Sequence, residues 1–147
     1  MVGCKKETIV SNEFVYTHEF VERDFLPIVE GKLNGKLAYF LLDTGASISI
    51  LDLKESARYR VNKGNISDIG IGGYGGITSD VTELKNVKVT LGQETLKKDF
   101  SGKDIGYLVV AIKNITGYSV VGIIGNNNIS YSNFILYFEN NLLLKRK

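Results

Sequence analysis

Apolar and polar positions alternate with a period of two along much of this chain, the signature of strands with one buried face. Across residues 27–33, Val29, Gly31 and Leu33 alternate with Ile28, Glu30 and Lys32. Asn34-Gly35 follows, a strong two-residue hairpin signal. The return strand, 36–42, becomes wholly apolar at Ala38-Tyr39-Phe40-Leu41-Leu42, as a strand covered on both faces does. Ile48, Ile50 and Leu51 suggest another strand, and 53–59 a short helix. Val87, Val89 and Leu91 alternate with Lys88 and Thr90 as a half-exposed strand. Two unbroken apolar runs, 107–112 and 120–125, read as buried strands, with a short helix over 126–131 after the second. Segments 134–138 and 142–144 flank Glu139-Asn140-Asn141 as a terminal hairpin. The pattern predicts a mainly β domain of many short strands with one or two short helices, hence a barrel or sandwich.

Composition narrows the function classes. The chain has 147 residues, 44% hydrophobic and 23% charged, which suits one domain with one core. Its net charge of +2 argues for neither nucleic acid nor an anionic membrane surface as partner. One cysteine, Cys4, excludes an internal disulfide framework, and with one histidine, His18, no Cys/His metal cluster can assemble. No metal or cofactor is expected. His18 reads as a surface residue. No apolar run reaches the roughly 18–20 residues that span a bilayer. Val2-Gly3-Cys4 resembles the end of a bacterial lipobox, which would place a lipid on Cys4 and the chain at the cell envelope. A lone thiol near the chain start is the competing reading.

Chemistry concentrates at Phe40-Leu41-Leu42-Asp43-Thr44-Gly45-Ala46-Ser47. A carboxylate straight after a buried strand is costly unless its charge is supported. Gly45 lets backbone amides approach that carboxylate, and Thr44 supplies a hydroxyl that can hold the loop against a partner. By average residue usage Asp-Thr-Gly alone arises by chance in roughly one chain in thirty to fifty, so the flanks matter. An Asp-capped turn is the bland reading.

With those flanks, Leu-Leu-Asp-Thr-Gly-Ala-Ser resembles the active-site loop of the retropepsin-like aspartic proteases, including single-lobed bacterial members. Ile69-Gly70-Ile71-Gly72-Gly73-Tyr74-Gly75-Gly76 resembles their flap, with Ile71, Gly72, Gly73 and Tyr74 as its substrate-binding part. Gly122-Ile123-Ile124-Gly125-Asn126 resembles the second motif, whose Ile123, Ile124 and Gly125 thread beside the catalytic loop. The resemblance covers roughly 25–144 and implies a single-lobed closed barrel of the acid-protease kind over 25–147. Residues 1–24 would then form a polar leading segment and tether. Ala46 follows the viral pattern rather than the hydroxyl of pepsins, and Asn126 stands where viral enzymes often carry Arg.

The resemblance implies an aspartic endopeptidase with Asp43 as its catalytic carboxylate, supported by Thr44, Gly45, Ala46 and Ser47. Two carboxylates a few ångströms apart do not both ionise, so the pair holds one proton and activates a water. This chain has one such loop and is too short for two lobes, so a homodimer acting on peptide or protein substrates is expected. The alternative of another class is a non-catalytic peptide-binding module on the same fold. Gly70, Gly72 and Gly75 also match a dinucleotide-binding spacing, but no strand–turn–helix context surrounds them. Sequons at Asn65, Asn114 and Asn128 read as coincidental in an Asn-rich chain.

Overall fold

The computed structural model describes residues 13–22, 24, 26–67 and 81–147. It is built from twelve strands, β1 (Phe14–Glu22), β2 (Ile28–Leu33), β3 (Lys36–Asp43), β4 (Ser49–Asp52), β5 (Asn62–Ser67), β6 (Val81–Lys85), β7 (Val89–Leu91), β8 (Glu94–Thr95), β9 (Phe100–Lys103), β10 (Val120–Gly125), β11 (Phe134–Tyr137) and β12 (Leu142–Arg146). Among the described residues there are also three α-helices, α1 (Leu53–Ser56), α2 (Gly106–Thr116) and α3 (Asn126–Tyr131), and two short 3-10 turns, Ala57–Tyr59 and Phe138–Asn140. Among the described residues no helix is long and apolar enough to cross a membrane.

The strands pair in the order β11-β12-β1-β2-β3-β10-β4-β9-β6-β5, with β7 attached to β2 and β8 to β7. The mainly β expectation holds. The closed barrel does not appear: among the described residues β11 pairs only with β12 and β5 only with β6, so the ladder has two ends. The β2–β3 hairpin turns at Asn34 and Gly35 with φ of 51° and 86°, the doubly left-handed geometry that Asn-Gly favours. The Asn34 side chain also accepts from the Lys88 amide at 2.8 Å and donates to the carbonyls of Tyr59 and Asn86. A two-residue turn is thereby tied to distant loops.

β10 explains why its six residues are all buried. It lies between β3, to which it runs parallel, and β4, to which it runs antiparallel. Side chains on both faces of this central triplet enter apolar clusters. Phe40, Leu42, Leu51, Val121 and Ile124 join one cluster, with Ile129 of α3. Leu41, Ile50, Val120 and Ile123 join the other, with Ile105, Val109 and Ile112 from α2 and its entry. Burying each large apolar side chain stabilises the fold by roughly 1.5–3 kcal/mol.

Two segments differ from expectation. The run 107–112 is not a strand but most of α2: Val109 and Ile112 face the core, whereas Tyr107, Val110 and Ile115 are exposed. A short apolar run carries no periodicity that separates the two, and here the helix lays one stripe on the sheet. Gly117, left-handed at φ 85°, ends it by donating its N–H to the Lys113 carbonyl. β1 lies before the expected boundary at residue 24, yet it pairs with β2 on one side and β12 on the other. His18 sits on it, partly buried opposite Leu143.

Candidate active site

Asp43 is the last residue of β3, opposite Gly125 in the β3–β10 register. Because β10 separates β3 from β4, the connection 44–48 must cross the C-terminal end of β10. That crossing places the loop over Gly125. A Cβ added to Gly125 would lie 2.1 Å from the Ile48 carbonyl oxygen and 2.9 Å from that of Ala46, so only glycine fits. At Gly122, three residues earlier, a Cβ would lie 2.2 Å from the carbonyl oxygen of Ile50 in the neighbouring β4.

The loop is held by backbone bonds. The Gly45 amide donates to Asp43 Oδ1 at 2.9 Å, and the Ala46 amide to the Asp43 carbonyl at 3.2 Å. The Asn126 amide donates to the Ala46 carbonyl at 2.7 Å, which ties the loop to the start of α3. Gly45 is not at a left-handed φ, and a Cβ there would stand 3.3 Å from Asp43 Oδ1, a tight contact with the carboxylate. Ala46 is buried in the cluster containing Leu41, Ile50 and Ile123. Thr44 and Ser47 are exposed.

Asp43 is partly exposed at an open cleft of about 510 Å³. The cleft is lined by Pro27, Leu42 and Thr44 with residues of α3 and β11 and Phe138. Asp43 is the only carboxylate among the described residues lining this cleft. Asp52, at the far end of β4, is 1% exposed but serves as a joint: its two oxygens accept the amides of Glu55 and Ile105 at 2.9 Å. It caps α1 and fixes the entry to α2. Among the described residues no three His, Cys, Asp or Glu side chains gather as a metal site.

The sequence-predicted residues therefore divide. Asp43, Thr44, Gly45, Ala46 and Ser47 form one loop, and Ile123, Ile124 and Gly125 run beneath it. Ile71, Gly72, Gly73 and Tyr74 lie outside the described residues, as does Cys4 with its lipobox pattern. The strands flanking the glycine-rich stretch pair antiparallel, with Ser67 opposite Val81, which is not the strand–helix context of a dinucleotide site. Asn128, within a sequon, is fully buried and closed to glycosylation in the folded chain. Sequence reasoning missed Ser49, Asn127 and Asn128, which hydrogen-bond to one another beside the loop. The run of three asparagines after Gly125 was the visible signal.

The family model for the retroviral aspartyl protease matches residues 24–127. Solved structures similar to this chain include two proteins from different sources. One is EIAV protease complexed with the inhibitor HBY-793, at 23% identity and TM-score 0.48, covering 74% of this chain and 88% of that one. The other is the retroviral protease-like domain of Ddi1 from Leishmania major, at 11% identity and TM-score 0.42, covering 84% and 95%. Among curated proteins nothing matches.

Proposed function

Since this chain belongs to the retroviral aspartyl protease family, we propose that it is an aspartic endopeptidase whose catalytic pair is Asp43 from each of two copies. The observation that carries this reading is Asp43 itself. It is partly exposed at the mouth of a cleft, its carboxylate oriented by the Gly45 amide, with no second carboxylate among the described lining residues. Two such groups brought together share one proton. The ionised one acts as general base on a water, and the protonated one donates to the peptide carbonyl as the tetrahedral intermediate forms. As the C–N bond breaks, the carboxyl that took the water's proton gives it to the leaving amine, the other takes a proton back from the diol hydroxyl, and the pair returns to its starting state. Thr44, Gly45, Ala46 and Ser47 hold the carboxylate in place, and Ile123, Ile124 and Gly125 form the floor.

Docking of the second copy is best supported at the cleft's β11 side. β11 is a sheet end among the described residues, and Phe134-Ile135-Leu136-Tyr137 carries none of the charges or prolines that keep solvent-facing edges from pairing. Phe138, 60% exposed beside it, lines the same cleft as Asp43. A contact there would be isologous, the same patch meeting itself across a two-fold axis.

Incubation with a peptide library tests the reading. Cleavage is expected, sensitive to pepstatin, with specific activity falling on dilution as dimers dissociate. An intact library, or activity that stays constant in a species sedimenting as a monomer, would contradict it, and an intact library would favour a peptide-binding module.

Ile71, Gly72, Gly73 and Tyr74 are proposed as the flap, supported by the antiparallel β5–β6 ladder that sets Ser67 opposite Val81. Gly73→Val is expected to lower turnover several-fold with little change in the denaturation midpoint. Unchanged turnover would remove the flap role.

A further inference from the structure

Resting on the peptidase reading above, we propose that Ser49 is a positioning residue for Asp43, anchoring the catalytic loop through an uncharged buried network. Ser49 is the first residue of β4, where the loop ends, and is fully buried. Its hydroxyl donates to Asn127 Oδ1 at 2.7 Å and accepts from the Gly125 amide and from Asn128 Nδ2, both at 2.9 Å. One donor and two acceptors are the full capacity of a hydroxyl, so the group is saturated.

The network extends outward without a charge. Asn128, also fully buried, accepts the Lys98 amide at 2.9 Å through Oδ1 and donates to the Lys98 carbonyl at 3.2 Å. Asn127 Oδ1 also accepts the Asn128 amide at 2.8 Å, while its Nδ2 donates to the Asp99 carbonyl at 3.3 Å. β4, β10 and α3 thus meet at one oxygen atom, and the segment entering β9 joins through Asn127 and Asn128.

The path from this atom to Asp43 is short. Gly125, whose amide Ser49 accepts, faces Asp43 in the parallel register. The next amide, Asn126, holds the loop at the Ala46 carbonyl. Removing the hydroxyl takes the acceptor from the Gly125 amide and one of two acceptors from Asn128 Nδ2 where water is excluded, and neighbouring backbone must shift to recover partners. The loop and the Asp43 carboxylate shift with it. A displacement near 1 Å can lower turnover about a hundredfold while leaving remote substrate contacts intact. Because no member of the network titrates, its hold persists across the working pH range.

Steady-state kinetics and amide hydrogen exchange on Ser49→Ala, Ser49→Thr, Asn127→Ala and Val89→Ala test the assignment. Asn127 is partly exposed, so its variant folds if Ser49→Ala does not. Val89→Ala removes buried apolar volume in β7 and none of the network's hydrogen bonds, and controls for general destabilisation. Ser49→Ala and Asn127→Ala are expected to lower kcat by about tenfold to a hundredfold with KM within about twofold. Both should speed exchange of the Gly125 and Asn126 amides. Ser49→Thr, which keeps the hydroxyl, should recover most of kcat, and Val89→Ala should leave kcat unchanged. Unchanged kcat in both network variants, or an equal loss in Val89→Ala, overturns the proposal. If the wild-type chain cleaves nothing, the peptidase reading fails instead, and amide exchange still decides whether Ser49 anchors the loop.

Discussion

Asp43→Asn should abolish peptide cleavage, lowering kcat by on the order of a thousandfold or more, while the denaturation midpoint stays near wild type. The two effects separate because an amide keeps a carbonyl oxygen that can accept the Gly45 N–H, now 2.9 Å from Asp43 Oδ1. The loop therefore keeps its local bond. What the amide lacks is a proton to share or a basic oxygen to activate water, and loss of one general acid or base costs about 10²–10⁴-fold. Titrating Asp43→Asn chain into wild type should also lower activity per wild-type chain, since mixed dimers hold one carboxylate. Activity in a pH series should be bell-shaped, its two limbs belonging to the pair rather than to either copy. Full activity in Asp43→Asn would refute the mechanism outright.

Gly125→Ala is expected to cost about 3 kcal/mol of stability, near the upper end for overpacking, and to remove activity with it. The added methyl would meet the Ile48 carbonyl oxygen at 2.1 Å and the Ile48 carbonyl carbon at 2.6 Å. Both are backbone, so no side-chain rotation relieves the contact. Either β10 retreats from β4 or the loop lifts, and lifting the loop carries Asp43 away from its partner. Urea denaturation with matched kinetics checks this; a midpoint within error of wild type would show that the crossing is looser than these distances. Glycine here answers to packing across the sheet rather than to its own dihedral angles.

Much of the site was legible because its signals are local. Asp43-Thr44-Gly45 after an apolar strand, Asn34-Gly35 between two strands and the Ile123-Ile124-Gly125 run each state their chemistry within a few neighbours. The terminal hairpin was equally visible, as β11 and β12 around a short turn. Each of these depends on backbone geometry that neighbouring residues dictate, so the pattern of types suffices.

Other features depend on contacts that no local pattern encodes. Residues 107–112 look like a strand until Val109 and Ile112 are seen to pack on the sheet while Tyr107 and Val110 face outward. Residues 14–22 lie in the leading segment read from sequence as polar, and the place of β1 comes from backbone pairing with β2 and β12. Ser49 reaches Gly125 and Asn128 across 76 and 79 positions of sequence. The chain alone determined which residue carries the carboxylate and which glycine turns beside it, because those are properties of a few consecutive residues. Only the tertiary structure decided that β10 passes between β3 and β4, and hence what lies beneath Asp43 and holds it. That order is set by burying both faces of the central strands at once, a collective requirement that no single segment states.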